Sequence, residues 1–270
     1  ILGYGFFISN KVIKFKNYNL GYQGIVGIFT LLLISYASTQ FLAHEEIFNS
    51  LILISGLILF LIFFKEINPS KKNLKLLFLI FLFSLIFILI GKNHDDFHYY
   101  HFPYIITLTE YPHPLGLGNL NHGFKTHSSI FLLSSLFYLP GAKYSLFHLA
   151  PAYILIFSNF VILKLIFNKR IQKNYIFITY LSLTSFVFIN IFFYRLGEHG
   201  TDRSAMILII LLVLNLLYFM NKHEDKINVD FLKVFTIIFT LIASLKALYL
   251  IYIIIMIPLI INVYEKTKSV

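Results

Sequence analysis

Two adjacent carboxylates, Asp95 and Asp96, stand in the segment KNHDDFHYYHFPY at 92–104, directly after the apolar run LKLLFLIFLFSLIFILIG. A carboxylate at the edge of so apolar a run is partly desolvated. Desolvation raises its pKa and makes it a better proton acceptor, the requirement for a general base. Either Asp96 or Asp95 can take that role, and Asp96 is favoured. If 94–104 continues as a helix, His94, His98 and His101 fall at i, i+4 and i+7 and share a face with Asp95. That spacing offers nitrogen and oxygen ligands to a divalent metal, with His94 and His98 as the metal-binding pair. It equally suits orientation of one carboxylate by hydrogen bonding. The plainer alternative is an interfacial stripe with Tyr99, Tyr100 and Tyr104, whose rings favour the membrane–water boundary.

Three further polar groupings could serve a ligand. The segment EYPHPLGLGNLNHGFKTHSSIF at 110–131 is rich in turn formers and carries Asn119, Asn121, His122, Lys125 and His127. Its alternative role is a structural cap. The segment YRLGEHGTDR at 194–203 places Arg195, Glu198, His199, Asp202 and Arg203 together. Arg203 opens an apolar helix, where a guanidinium pairs well with phosphate or carboxylate, or closes the loop by pairing with a neighbouring acid. Lys246 sits between FTLIASL and ALYLIYIII; it either snorkels to the surface or meets an anion at a helix break. With Tyr100, His98 and His101, the residues Asn119, Asn121, His122, Lys125, His199, Asp202, Arg203 and Lys246 form the candidate substrate-binding set.

The elements that position them are apolar. The chain is 58% hydrophobic and 13% charged, with a mean hydropathy of +0.80. So little polar surface points to a polytopic membrane protein, all-α, a bundle of about eight or nine spans. A span needs about 20 apolar residues. The runs 1–9, 24–41, 47–64, 74–91, 146–167, 175–193, 204–221, 231–245 and 248–263 are the spans expected. Residues 1–270 read as one transmembrane domain. The apolar ILGYGFFIS at the start reads like the tail of a helix, so the chain reads as a fragment of a longer protein. There is no cysteine, hence no thiolate metal site.

The run SSIFLLSSLFYLP at 128–140 is too short to cross. Kept as a re-entrant or interfacial helix within the long outer loop 92–145, it places the basic loops 10–23, 65–73 and 168–174 on one side, as cytoplasmic loops should be. The inside then holds 16 Lys/Arg against 5 Asp/Glu, and the outside 6 against 7. Insertion orientation therefore accounts for the net charge of +10, and nucleic-acid binding is not needed. The same arrangement puts every histidine except His223 outside.

A helix ending in Asp-Asp at the first large outer loop resembles the GT-C superfamily of membrane glycosyltransferases, of the protein mannosyltransferase and aminoarabinose transferase type. The run DDFHYYHFPY (Asp95–Tyr104) is similar to their D-x-x-x-Y-H-x-P variant. The runs GLGNLNHGFKTHSS (Gly116–Ser129) and EHGTDRSA (Glu198–Ala205) resemble a group of large glycosyltransferase-like bacterial envelope proteins. The resemblance implies a GT-C-like fold, a polyprenyl-phosphate sugar donor, an inverting mechanism and a catalytic acid at Asp95 or Asp96. This sequence departs from the pattern in the spans that precede the acidic pair, in its histidine-rich motif and in its length.

The expectation is a sugar transfer from lipid phosphate to an envelope acceptor, on the outer face of a bacterial inner membrane. The alternatives are a transporter or flippase for an anionic envelope lipid or glycan, and a non-catalytic membrane subunit that binds metal through the histidines.

Overall fold

The computed structural model describes residues 1–14, 19–89, 95–112, 116–125, 128–193, 201–221 and 229–268. Among them the chain forms helices and no strand. In order these are α1 (Leu2–Phe7), α2 (Leu20–Thr39), α3 (Glu46–Ile67), α4 (Lys71–Leu89), α5 (Phe102–Glu110), α6 (Ser129–Ser135), α7 (Leu149–Ile166), α8 (Lys169–Asn174), α9 (Ile176–Phe192), α10 (Thr201–Asn221), α11 (Val229–Leu245) and α12 (Met256–Lys268). A 3-10 run, Ala247–Ile255, joins the last two.

Among the described residues five helical segments are long and apolar enough to cross a membrane: α2, α3, α4, α10, and α7 with the turn before it. Ile176–Phe192 and Ala247–Ile261 are shorter apolar runs. The expected all-helical, apolar architecture is therefore present. Helix α6 has seven residues and so reaches only about 10 Å at 1.5 Å per residue, far less than a bilayer core.

The core is centred on α7, whose sequence LAPAYILIFSNFVILKLI is apolar on every side; such a helix must be covered all round. It packs against α2, α4, α9 and α10. Close approach there depends on glycine. An added Cβ at Gly24 would lie 2.2 Å from the Phe157 ring, and one at Gly5 would lie 1.9 Å from the Gln23 carbonyl. Small residues let apolar helices approach backbone to backbone where no water is present to drive packing. Some polar side chains inside this core pair across helices. Asn159 and Asn190 exchange amide hydrogen bonds at 2.9 and 3.0 Å, and Tyr22 donates to Asn215.

Contacts between distant segments define two ends. At one, Lys11 meets Glu66 at 3.5 Å, Lys164 donates to Asn73 Oδ1 at 3.1 Å and Lys233 donates to the Ile13 carbonyl at 2.7 Å. The basic segments around Lys65, Lys71 and Lys169 belong to this end. At the other end lie the 40–45 connection, α5, α6, the start of α10 and the end of α11.

Candidate site around the short helix α6

Helix α6 organises the second end. Its N-cap Ser128 accepts from the Ile130 N–H at 3.4 Å, and the Ser35 hydroxyl of α2 donates to the Leu132 carbonyl at 2.7 Å. Every residue of α6 is buried. This short segment lies beneath the candidate site, with neighbours on α2, α5, α7 and α11.

On one flank of α6 runs the acidic segment. Asp95 is exposed and Asp96 half-buried at the start of a helical turn. The turn then widens into a π-helix over Phe97–His101. Pro103 explains part of this: it has no N–H to give to the Tyr99 carbonyl four residues back. That carbonyl instead accepts from the Asn121 side-chain amide at 3.3 Å. Asn121 Oδ1 in turn accepts from the Gly123 N–H at 2.8 Å. The loop is thereby pinned to the acidic segment. Gly123 must be glycine for this, because a Cβ would lie 2.6 Å from that of Tyr100.

The wider turn changes which histidines meet. His98 is at the surface while His101 is buried, its ring centroid 4.3 Å from Tyr100 and 5.1 Å from Phe131 of α6. The two do not share the single face expected of a regular helix. Tyr104 lies in the same aromatic cluster, 5.4 Å from Phe131 and 5.7 Å from Phe124. Burial, with Tyr36 nearby, pushes its hydroxyl up to about 12. Asn119, His122 and Lys125 are exposed on the loop above.

The other flank carries the second polar group. The hydroxyls of Ser129 and Ser244 lie 3.0 Å apart, which fixes α6 two residues from Lys246. Lys246 itself has extended backbone between α11 and the 3-10 run. Its ammonium donates to both oxygens of Asp202, at 2.7 and 2.9 Å. Tyr249 OH donates to the same carboxylate at 3.1 Å. Arg203, next to Asp202 in the first turn of α10, is partly buried. The family model described as "Domain of unknown function (DUF8201)" matches residues 1–270.

The chain belongs to this DUF8201 family. No curated protein and no solved structure matches it.

In this DUF8201 member the structure brings Asp202 and Lys246 into direct contact, groups Tyr100 and His101 with Phe131 of α6, and ties Asn121 to the Tyr99 carbonyl. His94, His127, Arg195, Glu198 and His199 lie outside the described residues. Among the described residues no group of three His, Cys, Asp or Glu side chains is placed to hold a metal ion. The His94–His98 pair is thus described only at His98, which is at the surface.

Two participants carried no signal in the sequence. Tyr249 reads there as one more apolar position. His44, in the connection between α2 and α3, is fully buried. Its Nδ1 lies 2.6 Å from Ser135 Oγ of α6, and its Nε2 lies 2.8 Å from Ser38 Oγ. Ser135 gives its own proton to the Leu132 carbonyl at 2.8 Å. Each ring nitrogen thus faces a hydroxyl, which satisfies a neutral imidazole in either tautomer. Burial pushes its pKa down to about 4, in accord with that neutral form.

Proposed function

We propose that this protein is an integral membrane glycosyltransferase, with a GT-C-like arrangement, that moves a sugar from a polyprenyl-phosphate donor to an envelope acceptor on the periplasmic face of a bacterial inner membrane. The shorter apolar helices complete its set of spans, and the basic end faces the cytoplasm. The observation that carries the reading is the convergence on α6, at the end opposite the basic loops, of the Asp95–Asp96 segment, an aromatic and polar loop, and the Lys246–Asp202 pair.

In this mechanism Asp96 takes the proton of the acceptor hydroxyl. The oxygen attacks the anomeric carbon from the side opposite the phosphate. The bond from that carbon to the phosphate oxygen breaks, and the phosphate leaves with its electron pair. The configuration inverts. Arg203, Lys125 and Lys246 offer positive charge to the departing phosphate, Lys246 in part, because Asp202 already shares its charge. His98, Tyr100 and Asn119 flank the acceptor path. A divalent ion, if bound near His98, would supply further positive charge to the phosphate.

The test is Asp96→Asn and Asp95→Asn in the purified protein, with lipid-phosphate sugar as donor. Loss of turnover with retained donor binding, in one of the two variants, supports the reading. Full turnover in both rejects it.

A second reading rests on the interruption at Lys246. Extended backbone between two apolar helical segments is the arrangement by which transporters bind ions and anionic substrates. The alternative is a transporter or flippase for an anionic envelope lipid or glycan, which would tolerate both Asp→Asn changes.

A further inference from the structure

The basic end carries a group of cations that no described carboxylate balances. Helix α4 opens with Lys71, Lys72 and Lys75, and α8 carries Lys169, Arg170 and Lys173; all six are exposed. Lys164, in the last turn of α7, donates to Asn73 in the first turn of α4 at 3.1 Å, and α8 begins three residues after α7 ends. The six cations therefore share one region of this end. No Asp or Glu occurs at 67–94 or 111–197, and among the described residues none of the six is in an ion pair. Elsewhere at this end Lys11 pairs with Glu66 and Lys233 with Asp230. Helix stability does not explain the six either. Lys71 and Lys72 in α4, and Lys169 and Arg170 in α8, stand at the positive ends of the helix dipoles, with no acidic residue in either first turn. Insertion orientation requires cations on this side, but not that they gather without a counter-charge.

We propose that this surface docks the headgroup of an acidic phospholipid from the leaflet at the basic end, with the acyl chains along the exposed apolar sides of α4 and α9. Clusters of Lys and Arg immediately beside a span attract anionic headgroups, each residue contributing about fivefold in affinity close to the surface. Apolar side chains stand directly beside the cations. Phe167 before α8, Phe177 and Tyr180 after it, and Phe78 and Leu79 one turn beyond Lys75 are all exposed. The six cations thus sit where headgroup meets hydrocarbon. Ile171 seats α8 on the bundle at 2% exposure, which leaves its charged residues outside. Two trios on separate helices suit a headgroup with two phosphates. A soluble acidic peptide is the weaker occupant, because it would leave the neighbouring apolar side chains uncovered. The proposal rests on α4 and α9 lying in a bilayer and is independent of the transferase reading.

The chain has no tryptophan, so one substitution creates a unique fluorophore. Phe177→Trp places it beside the cations. Phe192→Trp, at the opposite end of the same helix, is the control; both positions are exposed. The full chain is reconstituted into vesicles of phosphatidylcholine with bromine-labelled acyl chains, which quench tryptophan on contact, and a rising fraction of unlabelled cardiolipin. Selective docking makes the fluorescence of Phe177→Trp recover at a severalfold lower cardiolipin fraction than that of Phe192→Trp. Lys71→Gln, Lys72→Gln and Lys75→Gln together, or Lys169→Gln, Arg170→Gln and Lys173→Gln together, should erase that difference. Lys11→Gln, Lys14→Gln and Lys233→Gln together, removing equal charge at the same end, should keep it. Equal quenching of every variant by labelled phosphatidylcholine alone confirms insertion. Equal recovery at both reporters, or a difference that survives neutralisation of both trios, overturns the proposal. Loss of the difference on adding inorganic pyrophosphate at constant ionic strength would assign the surface to a soluble anion, and overturns it as well.

Discussion

Lys246 Nζ lies 2.7 Å from Asp202 Oδ1, across the gap between the start of α10 and the end of α11. The lysine interrupts an apolar stretch, and its charge is stabilised by a carboxylate 44 residues earlier. The pair is about two-fifths exposed at each side chain, 38% and 47%, so solvent screens it. A half-exposed pair is worth at most about 1 kcal/mol. Lys246→Met and Asp202→Asn should each lower stability, and the double variant should lose less than the sum. A thermal-unfolding cycle in detergent should give a coupling of about 0.5–1 kcal/mol. Additive losses would show that the two groups do not act as a pair.

His44 predicts a pH dependence. Its folded-state pKa is pushed down to about 4 by burial, against about 6.5 for a free imidazole. The unfolded chain therefore binds a proton that the folded chain refuses between those values. Stability from this group is complete above about pH 6.5 and falls by up to about 1.4 kcal/mol per pH unit as pH drops toward 4. The loss flattens below that value. His44→Gln should remove this acid-limb slope, read as melting temperature against pH, even where it lowers stability overall.

The apolar architecture was legible because composition alone forces it: runs such as LILISGLILFLIFF have no other stable environment. The shortness of the helix within 128–140 was legible from the length of its apolar run, and α6 has seven residues. The histidine face was not legible. Pro103 and the π turn shift the register, a tertiary outcome that includes the Asn121 amide reaching back to Tyr99. The His44–Ser135 contact spans 91 residues and leaves no local pattern. Asp202 and Lys246 could each be singled out as charges beside apolar helices, but not as partners.

The glycines in the helix contacts predict sharp steric effects. Gly24→Ala would drive a methyl into the Phe157 ring, and Gly5→Ala into the Gln23 carbonyl. The side chain at Phe157 can yield, whereas the backbone at Gln23 cannot. Overpacking of this kind costs about 1–3 kcal/mol, and Gly5→Ala should be the worse of the two. Gly141→Ala meets no atom within 4 Å but sits at φ +78°, so its smaller cost is conformational. Melting temperatures of the three variants in one detergent rank them directly.

The position of α6 has the widest consequence, because it decides whether the acidic segment and the turn before α7 lie on one face. The chain has no cysteine, so single cysteines can be placed without background. Glu110→Cys follows the acidic segment, Ser145→Cys follows α6, and Arg170→Cys marks the basic end; all three positions are exposed. A membrane-impermeant maleimide added to oriented vesicles should label the first two from the same side and the third only from the other. The side shared by Glu110→Cys and Ser145→Cys should be the periplasmic one, since the Lys/Arg-rich loops stay in the cytoplasm. Labelling of those two positions from opposite sides would mean that 128–140 crosses, and the Asp95–Asp96 segment and Lys246 could then no longer serve one ligand.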